Sequence, residues 1–182
     1  MVLDTSAFVT GFDPFTVREA QVVPPMVEEE VKRNTLAVLR LDVAVESGRL
    51  KILSPSKAAI DKAKACASSI GDSFFLSETD MQVLALALEL ATKGNCTQIV
   101  TDDYSIQNVS TKLGIRFVSR GTLGIRRLLN WVRYCPACHR TYPANYKGKK
   151  CTVCGTALKR KPQRQREVTS QNVKQKNQKS PF

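Results

Sequence analysis

Apolar residues along this chain follow two alternating rhythms. Short β-branched runs at Val2 to Asp4, Gln21 to Val23, Leu50 to Leu53, Gln98 to Thr101 and Arg116 to Val118 predict strands. Between them, apolar residues recur at three- and four-residue intervals, which predicts helices over Pro25 to Glu46, Ser56 to Ser69, Glu78 to Lys93 and Ser105 to Leu113. Gly94-Asn95 and Gly114 stand where two of these helices should stop, and Gly121-Thr-Leu-Gly124 breaks the chain after the last strand. Such alternation predicts an α/β fold over residues 1–124, with a mostly parallel central sheet flanked by helices.

After residue 124 the rhythm ends. Residues 125–134 read as a linker, and a cysteine module follows at 135–158 in the pattern Cys135-Pro-Ala-Cys138 and Cys151-Thr-Val-Cys154-Gly155. Two CxxC turns bring four thiolates around one tetrahedral ion and leave no position open for substrate, which predicts a structural Zn²⁺ site in a small ribbon. A module this short cannot build an adequate core, so metal binding would drive its folding. His139, the only histidine, follows Cys138 directly; with four thiolates at hand it reads as a surface residue. Cys66 and Cys96 read as small buried or half-buried side chains. Residues 159–182 carry few apolar side chains and many Lys, Arg and Gln, too polar to offset the entropy of ordering, so they read as a basic, disordered tail.

Charge sharpens this division. Residues 1–130 hold 15 Lys+Arg against 15 Asp+Glu, whereas residues 131–182 hold 13 Lys+Arg against Glu167 alone, so the whole net charge of +12 lies in the last 52 residues. That asymmetry predicts an anionic partner, and the lack of an amphipathic aromatic pattern favours nucleic acid over a membrane surface. No run approaches the roughly 20 apolar residues of a membrane span, and no basic-then-apolar leader precedes Met1, which predicts a soluble cytoplasmic protein.

Candidate chemistry comes from where the acids stand. Asp4 ends the first strand, and Asp102 and Asp103 end the fourth, at the carboxyl edge where parallel sheets bind ligands. Glu28 and Glu30 flank the apolar stripe of Val27, Val31, Val38 and Leu41 on opposite sides, and spacing does not choose between them. Ser77-Glu-Thr-Asp80 has the form of a capping box, yet Asp80 also projects into the stripe of Val83, Leu84, Ala87 and Ala91. A carboxylate there needs cap donors or a cation. Carboxylates gathered without histidine or thiolate favour Mg²⁺ or Mn²⁺.

Val2-Leu-Asp4-Thr-Ser6, Pro25-Met-Val-Glu-Glu-Glu30, Leu76-Ser-Glu-Thr-Asp80 and Val100-Thr-Asp-Asp103, in that order, resemble the PIN-domain nucleases. The resemblance implies a metal-dependent nuclease with Asp4, Glu30, Asp80 and one or both of Asp102 and Asp103 in its site; it selects Glu30 over Glu28. A PIN domain followed by a four-cysteine ribbon is more narrowly similar to the Nob (Nin-one-binding) family, and the run Asp102-Asp103-Tyr104-Ser105-Ile106-Gln107-Asn108-Val109 strengthens that match. The short, uninterrupted chain resembles its archaeal branch. This implies an endoribonuclease that trims the 3′ end of small-subunit ribosomal RNA precursors, with Asp4, Asp80, Asp102 and Asp103 holding the catalytic metal and Cys135, Cys138, Cys151 and Cys154 holding zinc. Two alternatives stand beside it. One is a non-catalytic RNA-binding ribosome assembly factor that keeps the fold as a docking surface; the other is a nuclease acting on DNA, since charge and carboxylates do not read the 2′-hydroxyl.

Overall fold

The computed structural model describes residues 1–33, 35–125 and 128–163. Its first sheet has five parallel strands: β1 (Val2–Leu3), β2 (Gln21–Val23), β3 (Leu50–Ile52), β4 (Gln98–Val100) and β5 (Arg116–Val118), in the order β3-β2-β1-β4-β5. Both faces are covered, so the central strands are apolar on consecutive residues: Val2, Leu3, Val22, Val23, Ile99 and Val100 are all buried. The covering helices are α1 (Thr5–Val9), α2 (Pro25–Val31), α3 (Thr35–Glu46), α4 (Lys57–Ile70), α5 (Glu78–Thr92) and α6 (Tyr104–Lys112). The chain moves outward from β1 through β2 to β3 and then returns to β4 on the other side of β1. That reversal opens a crevice above the carboxyl ends of β1 and β4, where an open α/β sheet receives its ligand.

Two elements depart from the expected pattern. The helix read as continuous from Pro25 to Glu46 is two helices, with Lys32 capping the first. Val27 and Val31 are fully buried in α2, but in α3 the buried face is Ala37, Leu41 and Ala44. At 100° per residue the centres of these two faces are turned from one another by roughly 90°. Breaking the helix lets each half present its own stripe. The five-residue α1, absent from the sequence reading, is too short for a periodic pattern to announce it.

A second sheet, antiparallel and ordered β7-β6-β8, consists of β6 (Asn130–Tyr134), β7 (Thr141–Tyr142) and β8 (Lys159–Gln163). The segment read as a linker thus supplies the central strand of the ribbon, and the first five residues of the segment read as tail form an edge strand. Pro162 is tolerated because β8 pairs on one side only. The remainder of the predicted tail, 164–182, lies outside the described residues. Among the described residues no helix is long and apolar enough to cross a membrane.

The ribbon is docked on the first domain. Consecutive buried side chains of α6 hold the connecting segment: Gln107 accepts the N–H of Ile125 at 2.9 Å, while Asn108 accepts the N–H of Leu129 at 2.8 Å and donates to its carbonyl at 2.7 Å. Asn108 also donates to Asp72, which is 1% exposed and pairs with Arg160 of β8 at 2.6 Å. Gly71 ends α4 at φ 79°, and a Cβ there would stand 2.9 Å from the carbonyl oxygen of Trp131. A glycine is needed both for the left-handed cap and for this close approach of β6.

Candidate functional site

Asp4 is placed by strand register. Leu3 pairs with Val100, and the Asp4 N–H donates to the Val100 carbonyl at 3.1 Å, which sets the Asp4 side chain level with Thr101. Asp4 is 4% exposed, and its Oδ2 accepts hydroxyl donors from Ser6 at 2.7 Å and Thr101 at 2.8 Å. Asp4 occupies the cap position of α1 but makes no side-chain cap bond there. Burial raises its pKa above the ordinary carboxylate value, with the Ser6 and Thr101 hydroxyls working the other way.

Asp80 takes the capping role. Its Oδ2 accepts the Ser77 N–H at 2.7 Å, and its own N–H donates to Ser77 Oγ at 3.1 Å, completing the capping box. It also faces the crevice, because α5 packs against β1 and α2, and Gln82 Oε1 accepts the Met26 N–H at 3.4 Å. Burial pushes the Asp80 pKa up to about 6; the Ser77 donors oppose that, and the charges of Asp4 and Asp103 add to it. The three acids therefore share one electrostatic environment.

The two glutamates of α2 separate by partner. Glu28 is paired to Lys32 at 2.7 Å along the helix, while Glu30, exposed, accepts the Thr5 hydroxyl at 3.1 Å and so leans toward the start of α1 beside Asp4. The aspartates after β4 separate too. Asp102 Oδ1 accepts from the Ser119 hydroxyl and from the N–H groups of Arg120, Gly121 and Thr122 at 2.9–3.0 Å, binding the loop after β5. Burial would raise its pKa, but those donors outweigh it and hold it below the ordinary value. Asp103 caps α6 through Oδ1, accepting from Ser105 at 2.6 Å and Ile106 at 3.1 Å; among the described residues its Oδ2 has no hydrogen-bond donor. Ser6 and Thr101 knit the floor together, accepting the N–H groups of Asp102 and Asp103, each at 3.0 Å.

In the ribbon, Cys135, Cys138, Cys151 and Cys154 bring their sulfurs within 4.8 Å of one another, a group able to hold a structural metal ion. The two knuckles share one backbone geometry: the N–H of His139 donates to the Cys135 carbonyl at 2.9 Å, and that of Gly155 to the Cys151 carbonyl at 3.0 Å. Four thiols this close do not ionise independently. The Tyr142 hydroxyl, 3.1 Å from Cys151 Sγ, and nearby N–H groups draw Cys151 down to about 6. Cys138, despite a backbone N–H from Arg140, is pushed up to about 11 by its thiol neighbours. A metal ion would replace the shared protons. Tyr142 and Tyr146 pack together with ring centroids 4.6 Å apart inside the ribbon core, where Tyr142 is buried. Cys66 is half-buried against the main core, whereas Cys96 is exposed and accepts from Arg116.

His139 is exposed and takes φ 60°, the position that Gly155 fills at φ 71° in the second knuckle. A left-handed non-glycine residue costs roughly 1–2 kcal/mol, part of which glycine gives back through unfolded-chain entropy. His139→Gly is expected to raise the melting temperature of the metal-loaded protein by the equivalent of about 0.5–1 kcal/mol, and His139→Val to lower it. Metal release by His139→Gly, read by atomic absorption, would instead make His139 a ligand.

The chain is similar to known ribonucleases over most of its length. The profile of a PIN domain of ribonuclease matches residues 1–90. Among full-length relatives, Endoribonuclease Nob1 of Methanothermobacter thermautotrophicus is 40% identical over 168 residues, covering 90% of this chain and 93% of the relative. Endoribonuclease Nob1 of Pyrococcus abyssi is 35% identical over 166 residues, 91% of this chain and 96% of the relative. That of Methanocaldococcus jannaschii is 36% identical over 160 residues, 88% and 76% respectively.

Proposed function

The chain belongs to the Nob1 endoribonucleases, which carry a PIN domain, and from that premise we propose that its acid crevice cuts a ribosomal RNA precursor at the 3′ end of the small-subunit sequence. The observation that carries the catalytic reading is the convergence of Asp4, Asp80 and Asp103 on one crevice, where burial and mutual repulsion raise the pKa of Asp80 to about 6. Hard oxygen donors with surplus negative charge fit Mg²⁺ or Mn²⁺. When bound, such an ion supplies an acidified water and neutralises charge building on the phosphate.

The chain's own residues prepare that chemistry. Ser6 and Thr101 fix the rotamer of Asp4 by gripping Oδ2. Thr5 holds Glu30 to the same side. Asp103 offers its Oδ2 to the crevice, while Asp102 keeps the loop at 119–122 in place, so we assign Asp103 as the direct ligand and Asp102 as its support. The ribbon, with zinc on its four thiolates, and the basic segment beyond it grip RNA phosphates, in a cytoplasm where thiols stay reduced.

The test uses a precursor RNA that spans the 3′ end of the small-subunit sequence, incubated with Mn²⁺ or with chelator. A single cut that requires metal and disappears with Asp4→Asn, while RNA affinity is kept, is the expected result. Asp103→Asn should match that loss, whereas Asp102→Asn should lower activity together with thermal stability. RNA processing unchanged by Asp4→Asn would overturn the catalytic reading in favour of a non-catalytic assembly factor. A DNA oligonucleotide of the same sequence, if cut equally well, would overturn the choice of RNA.

A further inference from the structure

Two consecutive aromatic side chains, Phe74 and Phe75, stand 56% and 58% exposed in the loop between α4 and α5. The ribbon is also fastened beside them through Asp72, Asn108 and Gly71. Each has one face covered by a guanidinium from the ribbon sheet. Arg133 lies 4.6 Å from the Phe74 centroid, and Arg160 is sandwiched between Phe75 at 4.0 Å and Trp131 at 3.6 Å. Together with Lys159 these residues line a cleft of about 220 Å³ at the seam of the two domains.

From this geometry, and resting on the reading that the chain cleaves RNA, we propose that the seam cleft is a stacking site for an unpaired nucleobase of the substrate strand. Aromatic rings backed by guanidinium planes suit the π-face of a base, which only an unpaired nucleotide presents. The charge is complementary: Asp72 neutralises Arg160, leaving Arg133 and Lys159 for the flanking phosphates. The loop bearing both phenylalanines leads toward the crevice, because it runs from Asp72 to the Ser77 cap of α5, and Asp72 and Asp80 both feel the charge of Asp103. A base held here delivers the adjoining backbone toward Asp80.

The experiment uses the full-length, zinc-loaded chain carrying Asp4→Asn, so that RNA stays intact. Binding of a single-stranded RNA with 2-aminopurine at successive positions is followed by fluorescence, with and without Phe74→Leu/Phe75→Leu. Since one stacked base is worth roughly 1–3 kcal/mol, the double leucine variant should bind about 5- to 150-fold more weakly, lose the quench at one or two adjacent positions, and keep its salt slope. Phe74→Tyr/Phe75→Tyr should bind like the parent, which separates stacking from a folding defect. In the catalytic background the leucine variant should raise KM and leave kcat within about twofold. Parental affinity and quench in the leucine variant, as a protein-docking surface would give, overturn the proposal. So does an equal loss on duplex RNA. Absence of cleavage by the unsubstituted protein would overturn the nuclease reading and leave the stacking measurement standing.

Discussion

Asp80→Asn is expected to abolish cleavage while making the chelated protein more stable, a combination that a purely structural residue would not show. The sign follows from the raised carboxyl. In the folded chain Asp80 titrates near 6, against an ordinary value of 3.8. Below pH 3.8 the group is protonated in both states and costs nothing. Between about 4 and 6 the unfolded chain releases its proton while the folded chain keeps it, so stability falls through that window and stays lowered above it. The full shift corresponds to about 3 kcal/mol, and partial solvent exposure reduces this to roughly 1–2 kcal/mol.

Asparagine removes the penalty and still offers an oxygen to the Ser77 N–H, so the helix cap survives. The chelated variant should melt a few degrees higher than the chelated parent at pH 7 and equally at pH 4. With Mn²⁺ the parent should gain stability and the variant much less. Cleavage should drop by on the order of 10²–10³-fold, the usual cost of losing one electrostatic stabiliser. Full activity in the variant, or a lower melting temperature at pH 7, would reduce Asp80 to a helix cap.

How much of this was legible beforehand depended on the range of the interactions involved. Strand-end acids were readable because a parallel sheet exposes its carboxyl edge whatever its length, and β1 and β4 were visible as apolar runs. Asp80 was readable because it heads a stripe that includes Val83, Leu84 and Ala87, all buried. Glu28 and Glu30 were not separable by spacing, since the choice rests on Lys32 taking one and Thr5 the other. Asp102 and Asp103 were inseparable for a similar reason: what distinguishes them is a loop some twenty residues downstream that folds onto Asp102. The break between α2 and α3 was hidden because Val38 continues the stripe of Val27 and Val31 in sequence, although it is Ala37 that is buried.

Strand β8 was the least visible element. Lys-Arg-Lys-Pro-Gln has no alternating apolar face, and its order depends on Asp72 far upstream and on pairing with β6. A strand of this kind is specified by its partners. The boundary between grip and tail therefore moves from Lys159 to Gln163. A truncation before Lys159 would remove an edge strand and the Asp72 ion pair, whereas one after Gln163 removes Arg164, Arg166, Lys174, Lys176 and Lys179 while sparing the sheet. Only the second reports the electrostatic contribution of the tail, as a shallower dependence of log affinity on log salt.

Removing the metal from the ribbon should have the second large effect. The module's core is Cys135, Tyr142 and Cys151 with Tyr146 and Leu158 packed against it, too little apolar area to fold unaided. A zinc ion held there would contribute on the order of 10–16 kcal/mol at neutral pH, so its loss should unfold residues 135–158 outright. Cys151→Ser is the sharpest probe, since Cys151 is buried, faces Cys138 at 3.5 Å and takes the Tyr142 hydroxyl. The first domain, whose core is built separately around β1, β2 and β4, should stay folded with the same α/β circular dichroism. RNA affinity should fall by at least about tenfold, because β6 and β8 carry Arg133, Lys159 and Lys161 and lose their order with the ribbon. Since thiols must shed protons to bind as thiolates, metal affinity should weaken steeply as pH drops below the range where Cys151 ionises. A Cys151→Ser protein that keeps one equivalent of zinc, parental melting and parental RNA affinity would show that the four sulfurs hold no structural ion.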